Sequence, residues 1–182
     1  MEKKSAWIQT YTGVAFKPFN FSVEDINIED IAHALSMLCR YNGHTDKFYS
    51  VAEHCVHASY LVSEDIALHA LLHDAAETYM SDVLGPLKKF FPDLKKLEHS
   101  LSDGICERFD LDKAQEHEVK HADLLMTAIE KDVAMGPPPI PWPHKLPAAP
   151  DTITLEFWSP VEAEKEFLKR YEEICGWSIK KS

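Results

Sequence analysis

The chain has no long apolar run. Hydrophobic residues fill 45% of its 182 positions, yet no stretch approaches the roughly 20 consecutive apolar residues that span a bilayer. A globular chain with a core and no membrane span is expected, and one domain suits this length. Paired cysteine spacing is missing too. Cys39, Cys55, Cys106 and Cys175 are widely separated, include no C-x-x-C and fall in apolar helical patterns, so they read as reduced core thiols. Positive charge is in deficit: 19 Lys and Arg against 30 Asp and Glu leave a net charge of −11. That argues against holding long nucleic acid by phosphate neutralisation, but it leaves room for a small anion beside a metal and a few placed cations. Met1 to Trp7 carries no continuous apolar core of the secretory type, so a cytosolic protein is expected. No internal repeat is present.

Against these absences stands Leu71-Leu-His-Asp-Ala-Ala-Glu77. Its surroundings, Ile66 to Tyr79, are apolar nearly all round, which suits a helix in the middle of a core running to about Met80. An unpaired buried carboxylate costs several kcal/mol unless it is neutralised, hydrogen-bonded or bound to a cation, so Asp74 needs a partner. A satisfied polar contact or a metal would serve. Glu77, four residues after His73 and three after Asp74, shares their side of a helix and turns the pair into a cluster. His69 precedes His73 by four residues, as in H-E-x-x-H enzymes, but Ala70 stands where that motif needs Glu, which disfavours a zincin-type site.

The remaining pattern is helical. Trp7 to Phe16 reads as extended with a Thr-Gly turn, and Lys17 to Asp25 as a loop. A helix is expected from Ile28 to Arg40 with Asn27 as cap, His33 lying off its apolar stripe as an ordinary polar residue. Arg40 then complements that helix's C-terminal end or joins Tyr41 and His44 in a binding loop around Asn42-Gly43. Ser50-Val-Ala-Glu53 matches a capping box, opening a helix to about Val62 that carries His54 and His57. Ser63 is the expected cap of the central helix. After a turn at Asp82 to Pro86 and a basic stub at Leu87 to Phe91, Asp93 is the expected cap of a structural helix through Phe109. A helix over Ala114 to Met135 places Asp123 beside its apolar stripe, a carboxylate in the same predicament as Asp74. Residues 136–158 are too proline-rich for regular structure and read as a flap or wrap. Ser159-Pro-Val-Glu162 is a capping box for a last helix ending at Cys175, with Gly176 as its stop. The expectation is an all-α single domain over 1–182 with a core at about 28–135.

His54, then His73-Asp74, then Asp123, each on its own helix, resembles the H…HD…D signature of the HD-domain phosphohydrolase superfamily. Ile31-Ala-His-Ala-Leu-Ser36, Cys39-Arg-Tyr-Asn-Gly-His-Thr45 and Phe48-Tyr-Ser-Val-Ala-Glu-His54 are similar, with Leu71 to Glu77, to a branch of that superfamily. The branch is related to bacterial 5'-deoxynucleotidases and phage deoxyadenosine triphosphate triphosphohydrolases. The similarity covers roughly Trp7 to Asp132. It implies an HD-type helical bundle in which His54, His73, Asp74 and Asp123 hold one divalent transition ion, with manganese, cobalt, nickel, zinc and iron all admissible. It implies Glu77 as general acid/base, Arg40 and Lys88 as phosphate contacts, and Asp82 as the partner of a sugar hydroxyl. Where the family often has Asp-Leu-Pro this chain has Asp82-Val83-Leu84, so the turn that meets the sugar is reshaped. Tyr41, His44 and Phe19 are candidates for contacts to the base.

Three classes of function follow. The leading one is an enzyme releasing phosphate from a deoxynucleoside 5'-monophosphate, with removal of triphosphate from a deoxynucleoside triphosphate as the alternative. The second is a nucleotide-binding metal module without turnover, which an intact Glu77 disfavours. The third is a structural metal site, which mixed His/Asp ligands disfavour because structural zinc prefers cysteine. The partner implied is a small nucleotide, with no long nucleic acid and no membrane, and a homo-oligomer is left open.

Overall fold

A computed structural model of the chain describes residues 5–143 and 145–176. It is mostly helical. Among the described residues there are seven α-helices: α1 (Ile28–Met37), α2 (Val51–Ser59), α3 (Ala67–Leu72), α4 (Gly85–Lys88), α5 (Pro92–Phe109), α6 (Glu116–Val133) and α7 (Pro160–Cys175). A small antiparallel hairpin precedes them, β1 (Ile8–Gln9) pairing with β2 (Ala15–Phe16) in the register Ile8 opposite Phe16. The hairpin is fixed from both ends. The buried Asp30 carboxylate of α1 accepts from the backbone N–H and hydroxyl of Thr12 at 2.7 and 2.9 Å. Phe16 enters the core and stacks on Tyr79 at 3.9 Å. No described helix is long and apolar enough to cross a membrane.

All nine residues of α2 are buried, and α2 touches α1, α3, α6 and α7. The helix at the centre of the packing is therefore the one bearing His54, rather than the segment around His73 that the apolar run suggested. The Ser50 hydroxyl accepts the Glu53 N–H at 3.0 Å, as a cap should, but the helix stops at Ser59 instead of Val62. Glu53 does not close the box. Its buried carboxylate accepts the backbone N–H groups of Glu156, Phe157 and Trp158 at 2.8, 2.8 and 2.7 Å, clamping the irregular 136–158 run onto α2. Ser159 and Glu162 then form the expected capping box of α7, and Gly176 stops it at φ 63°. α7 packs over α1, α2 and α3.

Several expected boundaries move for identifiable reasons. α1 ends at Met37, because Leu38 turns extended and Cys39 and Arg40 pair with Ser50 and Tyr49 across a short bridge. Arg40 therefore does not complement a helix end. It opens a 3-10 turn, Arg40–Gly43, in which Tyr41, Asn42 and Gly43 all take left-handed φ. The expected long central helix breaks after Leu72 and resumes as a 3-10 turn, Ala75–Tyr79. His73 still has helical backbone angles, and the break falls at Asp74, with φ −97° and ψ 10°. Ser63 heads a 3-10 turn, Glu64–Ile66, without a side-chain cap bond. Asp93 lies inside the first turn of α5 behind Pro92 and is not its cap. α6 starts at Glu116 after a 3-10 turn, Lys113–Gln115.

The close packing of the loop on α5 requires one glycine. A Cβ on Gly104 would lie 2.4 Å from Cε2 of Phe21, whose ring packs on Phe16.

Candidate metal centre

His54 projects from α2, His73 and Asp74 from the break after α3, and Asp123 from α6. The Nε2 atoms of His54 and His73 face each other at 3.2 Å. Asp123 Oδ1 lies 3.3 Å from His54 Nε2 and 4.0 Å from His73 Nε2. Asp74 Oδ2 lies 3.3 Å from His73 Nε2 and 3.7 Å from His54 Nε2. Neighbouring ligands at ~2.1 Å on a single ion stand ~3 Å apart; the contacts of His54 Nε2 with His73 and Asp123, at 3.2 and 3.3 Å, come near that spacing, and the 4.0 Å from His73 to Asp123 is wider. His54, His73 and Asp123 each offer a donor atom within 4.8 Å of the others, a group that could hold a metal ion.

The outer contacts decide which nitrogens are free. His73 Nδ1 lies 2.7 Å from the Ala70 carbonyl oxygen, which only accepts, so Nδ1 carries the proton. His54 Nδ1 lies 2.5 Å from Glu130 Oε1. Burial alone would raise the Glu130 pKa, but Arg40 and His54 outweigh it and hold the carboxyl well below its ordinary value, so it too only accepts. Both imidazoles thus present Nε2 to the same point. Two such nitrogens in contact require a proton or a cation between them, and a histidine whose other nitrogen is tied to a carboxylate or carbonyl is the usual form of a metal ligand. The donor set fits a divalent ion.

The surrounding carboxylates favour positive charge in the cluster. Burial disfavours the charged form of His73, but Asp74 outweighs that and raises its pKa. Burial likewise opposes the Asp74 carboxylate, yet His73, His54 and Arg40 hold its pKa far below normal. Asp123 is lowered against burial by its hydrogen bond and charge contact with His54.

Arg40 reaches this cluster, with guanidinium nitrogens 3.1 Å from Glu130, 3.5 Å from Asp74 and 3.9 Å from Asp123. Glu77 is buried on the 3-10 turn after the ligand pair. Its Oε2 has no hydrogen-bond partner, and Oε1 lies 3.7 Å from Lys88 Nζ. Burial, with Asp74 and Asp82 adding, pushes its pKa up to about 9. Lys88 is held by Glu98 at 2.5 Å. Asp82 is half-buried and burial raises its pKa. The Tyr41 hydroxyl donates to Glu130 at 2.5 Å, and its ring meets Trp142 edge-on. His44 and Phe19 are exposed. His33 points elsewhere, bonding Glu164 at 3.0 Å beneath the Tyr11 ring.

Glu130 was not legible as a site residue. It is fully buried and accepts from Arg40, Tyr41, Tyr49 (3.0 Å) and His54. The available signal was its position seven residues after Asp123, two helical turns along the same face of α6.

The fold and site define a mostly helical protein with a buried His/Asp cluster able to hold a metal ion. No family model matches the chain. It is 42% identical over 126 residues to the uncharacterized protein YfdR of Escherichia coli (strain K12), covering 69% of this chain and 71% of that protein. It is 32% identical over 147 residues to the uncharacterized protein RCAP_rcc00048 of Rhodobacter capsulatus, covering 73% and 75%. The chain belongs to the family of these uncharacterized proteins.

Proposed function

We propose that this chain is an HD-type, metal-dependent phosphohydrolase that releases phosphate from a deoxynucleoside 5'-monophosphate. The observation that carries the reading is the approach of two Nε2 atoms, both with Nδ1 engaged, and two carboxylates beside a half-buried Arg40 and a buried Glu77. Four mixed ligands leave coordination positions for water and substrate, unlike a closed structural site. A divalent ion, when bound, polarises a phosphoryl oxygen and acidifies water. Arg40, braced from behind by Glu130, offers its remaining donors to the phosphate. Glu77 moves the proton. Water oxygen bonds to phosphorus, the bond from phosphorus to the sugar 5' oxygen breaks, and that oxygen leaves with the electron pair and takes up a proton.

Charge balance favours the monophosphate over the triphosphate. Arg40 and Lys88, the cations proposed for the phosphate, are each already paired with a carboxylate, Glu130 and Glu98. A dianion fits what they have left better than a triphosphate does. The deciding experiment supplies metal-loaded protein with deoxynucleoside mono- and triphosphates separately and identifies the product. Inorganic phosphate from the monophosphate is expected. Triphosphate released from the triphosphate, with the monophosphate untouched, would replace this reading by the alternative, and no product from either would end it.

A further inference from the structure

A cleft of about 380 Å³ opens beside the cluster, with His73 and Asp123 forming part of its wall. It runs between α5 and α6. On α6 the lining residues are Glu116, Val119, Lys120 and Asp123, spaced as one face of a helix. The seven residues from Asp123 to Glu116 make the cleft about 10 Å deep along the helix rise. Nothing among Arg40, Tyr41, His44, Phe19 and Asp82 lines it.

Its chemistry is specific. Leu72, Ile105 and Val119 are buried apolar side chains in its wall, and His99 and Ser102 supply polar groups from α5. The charged residues are Glu98, Asp103 and Glu116 against Lys113 and Lys120. Lys113 is taken up by Asp103 at 2.5 Å, and Glu98 holds Lys88. With those pairs set aside Glu116 and Lys120 balance, so the cleft carries no surplus positive charge to hold a run of phosphates. An uncharged group with apolar faces and hydrogen-bonding edges suits it. The volume sits at the small end of the ~300–1,000 Å³ typical of ligand sites.

We propose that this α5–α6 cleft is the seat of the nucleoside, attached to the phosphorus that faces His73 and Asp123. The inference rests on the phosphohydrolase reading for the identity of the attached phosphate. It deepens that reading in one respect. The scissile bond is then the one next to the nucleoside, because the cleft has no surplus cation to hold further phosphates between the nucleoside and the metal ligands.

The test separates binding from turnover. Calorimetric titration of metal-loaded protein with a deoxynucleoside 5'-methylenephosphonate, which cannot lose its phosphorus to water, reads the seat alone. Phosphate release from phenyl phosphate, which carries no nucleoside, reads the catalytic centre alone. Ser102→Trp fills the cleft from α5. Lys120→Trp obstructs it from an exposed position on α6, where folding is insensitive to the change. Each should weaken phosphonate binding by about tenfold or more while leaving metal content and phenyl phosphate turnover as in the wild type. Unchanged phosphonate affinity in a folded Lys120→Trp variant would overturn the proposal. So would failure of the wild-type protein to bind the phosphonate, or a change in molecular mass with either variant, which would make the cleft an interface between copies. Phosphonate binding that responds as expected, in a wild-type protein that turns over neither ester, would uphold the seat and refute the hydrolase.

Discussion

Replacing Glu130 by glutamine changes one oxygen to an NH2 group and little else in shape, which makes it a sharp probe of the carboxylate. Oε1 faces His54 Nδ1 and the Tyr49 hydroxyl, and Oε2 faces Arg40 Nη2 and the Tyr41 hydroxyl. An amide has one acceptor, so its NH2 must confront two donors whichever way it is turned. The tyrosines can rotate their hydroxyl hydrogens away. Arg40 and His54 cannot, and His54 escapes only by moving its proton to Nε2, the nitrogen that must be free for a metal. Hydrogen bonds to charged groups contribute ~1.5–3 kcal/mol each, and stripping a buried cation of its partner costs about 3–5 kcal/mol. A loss of roughly 3–5 kcal/mol in urea unfolding is therefore expected, a large share of the ~5–15 kcal/mol typical of a domain. Metal affinity should fall by about 10–100-fold, as for other partners of metal-bound histidines. The pH dependence has a definite sign. The folded Glu130 pKa lies well below its ordinary 4.5, so its contribution is present above pH 4.5 and is lost as pH falls further. The glutamine variant should lack that acid-side loss. Wild-type stability and wild-type metal affinity in Glu130→Gln would show that the Glu130 charge does not hold Arg40 and His54 in place.

Glu77→Gln should keep its metal and lose turnover by about 100-fold or more, whereas proportionate loss of metal and activity would make Glu77 a packing residue. Because burial and nearby carboxylates raise its folded pKa to about 9 from 4.5, its contribution in chelator-stripped protein is full below pH 4.5 and drains away towards pH 9. Stripped Glu77→Gln should thus melt higher than stripped wild type at pH 8, and equal melting temperatures would contradict the raised pKa. Gly104→Ala should destabilise by about 1–3 kcal/mol through the clash with Phe21, read by urea unfolding with metal content unchanged. Glu53→Ala frees three backbone N–H groups of the 156–158 segment and should speed proteolytic cleavage there ahead of global unfolding. Cleavage at the wild-type rate would place the clamp elsewhere.

The His/Asp cluster was readable because its members stood out against apolar helices. A His-Asp pair inside an otherwise buried run, and a second carboxylate beside the stripe of α6, are costly unless compensated, and cost is visible in composition. Helix ends carrying their own chemistry, Asn27, Ser50 and the Ser159-Glu162 box, were equally plain. What escaped depends on tertiary partners. Nothing in the run Leu71 to Tyr79 signals that the helix breaks at Asp74. Glu130 looked like one more charge near a helix end until Arg40, two tyrosines and His54 were brought to it from distant segments. Glu53 carried a local signature, a capping box, and its side chain left that box to clamp a strand of chain 103 residues away. The α5–α6 cleft is a volume between two helices, and periodicity describes faces, not the gap they leave.

The most direct test is to strip the protein with a chelator, return a divalent ion stepwise, and follow bound metal by elemental analysis alongside phosphate release from a deoxynucleoside 5'-monophosphate. Stripped protein should release none, activity should rise in proportion to metal and saturate at about one ion per chain, and His73→Ala should lose both readouts. Phosphate release that persists without metal, or a full equivalent held at wild-type affinity by His73→Ala, would contradict a metal-dependent centre built on His73.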